Sequence, residues 1–221
     1  MATKKSTVEI SKTIGKVSIK VVDVSKPKAV LTLAHGAGAG MEHAFMEALA
    51  NGLANESIAT VRFNFPYMEN KKGKPDPGPI AEKTVEMVIE KAHALLPKVP
   101  LFTSGKSFGG RMTTQLLSKL SPDYVKGIVL YGFPLHAPGA PAITRGEHLS
   151  SVKVPMLFLQ GTRDALADLK LLEKVLKKLP MATLTKFEGA DHSFRASKRQ
   201  LMDELVQATS SWIDTQIGLA R

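Results

Sequence analysis

Two periodicities alternate along the chain. Near its start Val8 and Ile10, then Val17, Ile19 and Val21, alternate with polar residues at period two, and Gly15 stands between the two runs. Such alternation marks strands with one buried face, so residues 7–24 are predicted to form an antiparallel hairpin at a sheet edge. From residue 28 onward the runs become mostly apolar. Ala29–Ala34, Ile58–Phe65, Leu101–Ser104, Gly127–Phe133 and Met156–Gln160 each read as a short strand buried on both faces. Ala182–Phe187 is more polar and reads as closer to an edge strand. Between these runs apolar residues recur every three or four positions. The stripes are Phe45, Leu49, Leu53, then Ala81, Val85, Val88, Ala92, Leu95, then Leu169, Leu172, Leu176, Leu179, and finally Leu201, Leu205, Ala208, Trp212. Each predicts a helix with one apolar face to lay on a sheet. Pro97 and Pro180 follow two of these helices, and Ser197 with Gln200 fits a capping box that opens the last one.

Strand and helix alternate almost throughout, which predicts an α/β fold: a mostly parallel central sheet, the N-terminal hairpin antiparallel, and helices on both faces. No repeat or low-complexity linker divides the chain, so residues 1–221 are expected to form one domain. There is no cysteine, which excludes a disulfide framework, a thiolate metal site, an iron–sulfur cluster and a cysteine nucleophile. The net charge of +10 raises the question of nucleic acid or an anionic membrane as partner. The basic residues are scattered, however: Lys71, Lys72 and Lys74 in a loop, Lys174, Lys177 and Lys178 on a helix, Lys198 and Arg199 elsewhere. No arginine-rich arm or basic–aromatic helix is present, so neither partner is expected. Met1-Ala2-Thr3-Lys4-Lys5 leads into no apolar stretch of signal-peptide length, and no run approaches membrane-helix length. The expectation is a soluble cytoplasmic protein, with oligomeric state left open.

In a parallel sheet of this kind ligands gather beyond the carboxyl ends of the strands. Three of those ends carry chemistry. After the strand at 101–104 comes Gly105-Lys106-Ser107-Phe108-Gly109-Gly110 and then a helix, a G-x-S-x-G in the strand–turn–helix setting of a nucleophile elbow. A serine on so tight a turn takes strained backbone angles, and glycine two residues to either side removes the collision. A serine hydroxyl needs a base. Asp191-His192-Ser193 follows the last strand, and Gly161-Thr162-Arg163-Asp164 follows the strand at 156–160. Ser107, Asp164 and His192 occur in the nucleophile–acid–base order of an α/β-hydrolase fold. Ser107 is then the nucleophile, His192 the proton carrier and Asp164 its orienting acid. Asp164 as a helix N-cap is the competing reading, with Asp168 as the alternative acid; Asp191 is expected to hold its loop.

An oxyanion hole requires two N–H donors. One is assigned to Phe108. The other comes from the loop His35-Gly36-Ala37-Gly38-Ala39-Gly40, with Ala37 favoured over Gly38. That loop lacks the G-K-[ST] ending of a phosphate loop, and G-x-G-x-x-G does not fit it. His35 reads as a buried brace for the loop before it reads as a ligand or an acid. No H-E-x-x-H or histidine cluster at ligand spacing is present, so no metal and no cofactor is expected.

These residues resemble α/β-hydrolases of the dienelactone-hydrolase-like group, and within it the small hydrolases related to testis-expressed protein 30. The stretches that carry the resemblance are His35–Ala39, Arg62-Phe63-Asn64-Phe65-Pro66-Tyr67-Met68, Gly105–Arg111, Gly132-Phe133-Pro134-Leu135-His136, Gln160–Asp164 and Asp191-His192. The resemblance implies a serine-hydrolase triad on Ser107, Asp164 and His192, and no particular substrate. Dienelactone hydrolases proper use a cysteine nucleophile, so their chemistry is not carried over to Ser107.

The stretch between the strands at 127–133 and 156–160 is only about 22 residues, too short for a full lid domain. A shallow site for small or flexible acyl esters follows, and the expected activity is that of a serine esterase on a small-molecule ester or thioester. His136, Arg145 and His148 lie in that stretch and are candidate substrate contacts, although pairing within the loop is the blander reading. Tyr67 and Met68 are candidate walls of an acyl pocket. Lys106 is expected to point away from Ser107, as alternate strand positions do. The reading from another class is a catalytically idle scaffold of the same fold used for binding, against which the complete triad argues.

Overall fold

The computed structural model describes residues 2–197 and 199–218. The first two strands, β1 (Ala2–Ser11) and β2 (Gly15–Asp23), form the N-terminal antiparallel hairpin. It starts earlier than the period-two pattern suggests, because the first six residues of β1 are exposed and carry no apolar signal. There follow β3 (Ala29–Ala34), α1 (Ala44–Asn55), β4 (Ile58–Phe63), the single turn α2 (Pro66–Glu69) and α3 (Gly78–Leu95). The centre of the chain is β5 (Leu101–Lys106), α4 (Phe108–Leu117) and β6 (Val125–Tyr131). A 3-10 segment at Thr144–Ser151 precedes β7 (Met156–Gly161), α5 (Leu169–Leu176) and β8 (Ala182–Phe187). A two-residue ribbon, β9 (Arg195–Ala196) with β10 (Arg199–Gln200), leads into α6 (Met202–Gln216).

Among the described residues eight strands join one sheet in the order β1-β2-β4-β3-β5-β6-β7-β8. β2 meets β4 antiparallel, and every pair from β4 to β8 is parallel. This is an α/β-hydrolase fold, mostly parallel with an antiparallel N-terminal hairpin. The central strands are buried almost throughout, and their side chains alternate between two cores. Ile128, Leu130, Met156 and Phe158 pack with residues of α3, α4 and α5, whereas Val129, Leu157 and Leu159 pack with α1 and α6. Helices therefore cover both faces, which is why these strands read as unbroken apolar runs.

Two local expectations are corrected. β4 ends at Phe63 and β6 at Tyr131, because Phe65 and Phe133 remain fully buried after the strand ladder has stopped. Ser197 does not cap a helix: it follows β9, and α6 opens four residues later on Leu201 without a side-chain cap. The stretch between β6 and β7 holds the 3-10 segment and an Ala137–Ala140 bridge but no lid domain. No described helix is long and apolar enough to cross a membrane.

The sheet also sets where a site can form. From β3 the chain crosses to β4 on one side and β5 on the other, so the loops after β3 and β5 diverge from adjacent strands. Such a switch point leaves a crevice at the carboxyl edge. The glycine-rich loop and Ser107 stand on its two sides.

Candidate active site

Ser107 has φ 51° and ψ −113°, a conformation that costs on the order of 1–3 kcal/mol for a residue with a side chain. The neighbouring glycines make it possible. A Cβ on Gly105 would lie 2.2 Å from the Gly110 nitrogen, and one on Gly109 would lie 2.5 Å from the Ala34 carbonyl oxygen. The turn packs so closely on β3 and on its own helix that no side chain fits at either position. Ser107 donates its backbone N–H to Tyr131 and stands at the N-terminus of α4.

His192 lies in the loop between β8 and β9. Its Nδ1 is 2.7 Å from Asp164 Oδ2, and the Asp164 side chain is fully buried. The carboxylate accepts two further hydrogen bonds, from Gln160 Nε2 at 2.6 Å and from the Leu166 amide at 2.8 Å. Gln160 is itself held by the Phe133 amide, which donates to its Oε1 at 2.9 Å. With its other contacts all from donors, the carboxylate accepts a hydrogen bond from Nδ1–H, which keeps the ring proton on Nδ1 and leaves Nε2 as the free face of the ring. Gly161 permits this meeting of loops, since a Cβ there would sit 2.4 Å from the Ala190 carbonyl oxygen.

The rival acid is accounted for differently. Asp168 caps α5, its Oδ1 accepting from the Leu171 amide at 2.9 Å. Asp168 is thus the helix cap, and Asp164, the acid favoured from the sequence, is the one that meets the histidine. Asp191 holds its loop through the amides of Ser193 and Arg195.

A cleft of about 700 Å³ collects these parts. Gly36, Ala37, Gly38 and Ala39 form one side, Ser107 and His192 the floor, and Phe45, Met46 and Met202 an apolar wall. Arg195 and Gln200 of the small ribbon stand at its rim. No hydrogen bond joins Ser107 to His192 among the described residues. Such contacts commonly tighten only once substrate is bound.

Four side chains differ from expectation. Tyr67 and Met68 do not line the cleft. Tyr67 is buried beneath the glycine-rich loop and donates to its Ala37 carbonyl at 2.8 Å. Met68 packs on the core, its Cε against Gly40. His136 is buried too, bonded to the Ala137 carbonyl and accepting from the Asp168 amide at 2.7 Å, so it braces the segment before α5. Tyr67 and His136 stand out by aromaticity or polarity near a strand end and Met68 only by its place beside them, signals that do not say which way a side chain turns. Lys106 leaves β5 away from the serine, as strand alternation requires, but its long stem returns to the cleft. Its Nζ donates to the His192 carbonyl at 2.6 Å between the rings of Phe45 and Phe194. Burial pushes its ammonium down to about 8, against the opposing pull of Asp164 and Asp191.

Two further histidines are structural. His35 is buried, its Nδ1 bonded to the Gly36 carbonyl and its Nε2 accepting from the Phe65 amide. Burial lowers it to about 4, so it is neutral near pH 7 with its proton on Nδ1. His148 is bonded to Thr114, and Arg145 to the His136 carbonyl. Sequence reasoning missed Gln160 as the second partner of Asp164. A glutamine ending an apolar strand was the available signal, because a buried amide needs partners.

A comparison with known families bears on this geometry. The Alpha/beta hydrolase domain family matches residues 27–215. The chain belongs to this family. Solved structures agree on the fold of this α/β-hydrolase. An alpha-beta serine hydrolase homologue from Coxiella burnetii superposes with a TM-score of 0.75 at 18% identity, covering 94% of this chain and 98% of that one. A member of the a/b serine hydrolases without lid, from Xanthomonas campestris, gives 0.71 at 20% identity over 99% and 94%. A dienelactone hydrolase from Anabaena variabilis gives 0.75 at 18% identity over 97% and 99%.

Proposed function

We propose that this α/β-hydrolase is a serine hydrolase of small carboxylic esters or thioesters, acting through an acyl-enzyme on Ser107. The observation that carries this reading is the 2.7 Å contact of His192 Nδ1 with buried Asp164, made at the same cleft that Ser107 enters from a strained elbow. A buried carboxylate on one imidazole nitrogen fixes the tautomer whose other nitrogen accepts a proton.

In the first step Ser107 Oγ bonds to the carbonyl carbon, its proton passes to His192 Nε2, and the carbonyl electron pair moves to oxygen. The N–H groups of Phe108 and Ala37 are the donors for that oxyanion. Collapse breaks the bond to the leaving alcohol or thiol, which takes the proton back from the imidazole. Water then repeats the sequence on the acyl-enzyme and releases the acid. Phe45, Met46 and Met202 suit an apolar acyl portion, and the open cleft suits a small or flexible one.

A fluorophosphonate probe tests the reading. Labelling is expected on Ser107 of the wild type and absent from Ser107→Ala, with hydrolysis of p-nitrophenyl esters following the same pattern. A folded wild type that takes no label would instead make the fold a binding scaffold.

A further inference from the structure

One buried hydroxyl is given over to the backbone of the glycine-rich loop. Tyr67, in α2, is 1% exposed. Its Oη donates to the Ala37 carbonyl at 2.8 Å, and the Gly36 carbonyl lies 3.2 Å from the same oxygen. The Gly36 carbonyl also receives His35 Nδ1 at 2.8 Å and the Ala39 amide at 3.3 Å. Both carbonyls therefore point into the protein.

The direction of the carbonyls decides that of the amides. Every described peptide bond is trans. In a planar trans peptide the C=O and the following N–H point opposite ways. The Ala37 N–H is thus turned away from the Gly36 carbonyl, and the Gly38 N–H away from the Ala37 carbonyl. The side facing away from Tyr67 is the cleft, which Gly36, Ala37 and Gly38 line with Ser107. Neither N–H has a protein acceptor among the described residues. A Cβ built on Gly36 would stand 3.7 Å from the Cβ of Ser107, so the loop lies directly beside the nucleophile.

We propose that Tyr67 is a positioning residue that aims the Ala37 and Gly38 N–H groups at the oxygen of the substrate carbonyl as it becomes an oxyanion. The proposal rests on the Ser107 reading above and extends the hole beyond a single loop donor. The ring is fixed by its packing: it stacks on Phe65 at 6.3 Å and meets His35 and Phe108 edge-on at 5.8 and 6.4 Å. Phe108 supplies the donor on the elbow side, so one aromatic cluster ties both sides of the hole together. Burial, with Asp76 nearby, holds the phenol far above its ordinary range, and it stays a donor at any working pH. Without the hydroxyl the Ala37 carbonyl would lose its partner on the protein side of the loop. The peptide gains by turning over, and the turned peptide presents an oxygen where a donor is needed.

The test compares wild type with Tyr67→Phe, which keeps the ring. Fluorophosphonate labelling of wild-type Ser107 is read first, and an unlabelled wild type removes both the Ser107 reading and this one. With labelling present, kcat on a p-nitrophenyl ester is expected to fall about 10- to 100-fold while KM stays within about threefold. Affinity for a trifluoromethyl ketone, whose adduct carries the oxyanion, should fall by the same factor as kcat/KM. Affinity for the product acid should not change. If labelling is intact and the variant keeps kcat/KM and ketone affinity within about twofold, only the Tyr67 proposal is overturned. A parallel loss of ketone and acid affinity with a lowered Tm also overturns it, since that is a general packing defect. If the variant does not fold, the wild type decides. The Ala37 and Gly38 amide resonances should move downfield on ketone binding, and their failure to move overturns the proposal.

Discussion

Replacing Asp164 with asparagine changes one atom at the junction on which the proposed mechanism depends. Asp164 Oδ2 accepts from both His192 Nδ1 and Gln160 Nε2, and Oδ1 accepts from the Leu166 amide. All three partners are donors. An asparagine NH2 placed at Oδ2 faces two of them, and one flipped to Oδ1 faces the third. In the first case His192 relieves the clash by moving its proton to Nε2, and the ring can no longer accept from Ser107. The corresponding loss in a serine triad is about 10⁴-fold in kcat, or roughly 5.5 kcal/mol of barrier. In the second case the tautomer survives, and a buried amide clash of about 1–3 kcal/mol appears instead as lost stability. The first is favoured, because His192 can change tautomer and the Gln160 side chain can turn away, whereas the flipped amide would set two donors only 2.8 Å apart against a backbone that cannot turn. Steady-state hydrolysis of a p-nitrophenyl ester, with a thermal melt on the same sample, separates the two. Asp168→Asn is the control: it weakens a helix cap worth about 1 kcal/mol at most and should leave kcat within about threefold. If Asp164→Asn retains more than about a tenth of wild-type kcat while Asp168→Asn abolishes it, the assignment of the acid is wrong.

Other outcomes follow from single contacts. Lys106→Met preserves the stem between Phe45 and Phe194 but removes the donor to the His192 carbonyl; kcat should drop about tenfold with an unchanged Tm, and an unchanged kcat would show that the loop needs no such tie. His35 titrates at about 4 in the native state and near its ordinary 6.5 when unfolded, so between these values the unfolded chain binds a proton that the native one refuses. Its contribution is complete above about pH 6.5 and is lost as pH falls toward 4, by up to about 3 kcal/mol. Urea melts at pH 7 and pH 4.5 should show a loss that shrinks in His35→Gln, and equal melts for the wild type at the two pH values would contradict this. Gly109→Ala places a methyl 2.5 Å from the Ala34 carbonyl oxygen and should leave little soluble protein at 37 °C; a well-folded variant would mean that the elbow can open.

The parts of this site that could be read along the chain are those encoded by short-range sterics. Gly105 and Gly109 announce a turn that admits no side chain, and the apolar runs before and after it announce buried strands. Chain order alone put Ser107, Asp164 and His192 at the ends of three strands. The last helix shows the limit of such reading. Ser197 and Gln200 have the spacing of a capping box, but Gln200 pairs with Arg195 in a small ribbon that lines the cleft. A local motif is overridden when a nearby strand offers the backbone other partners.

What remained open is where side chains point once distant segments meet. Asp164 is favoured over Asp168 along the chain, but neither is set against a base there; only the approach of the loop after β8 to that after β7 gives the first to the histidine and the second to a helix. Tyr67 and Met68 stand where cleft walls are expected and His136 where a substrate contact is, yet each turns inward, because burial rewards filling the space beneath a loop as much as lining the space above it. Lys106 reaches the carbonyl of a residue 86 positions away by a route that strand alternation does not describe. Composition and periodicity fix the sheet and the helices, since each strand or helix answers to its own few residues. The pairing of functional groups answers to the distance between loops, which exists only after the sheet has formed.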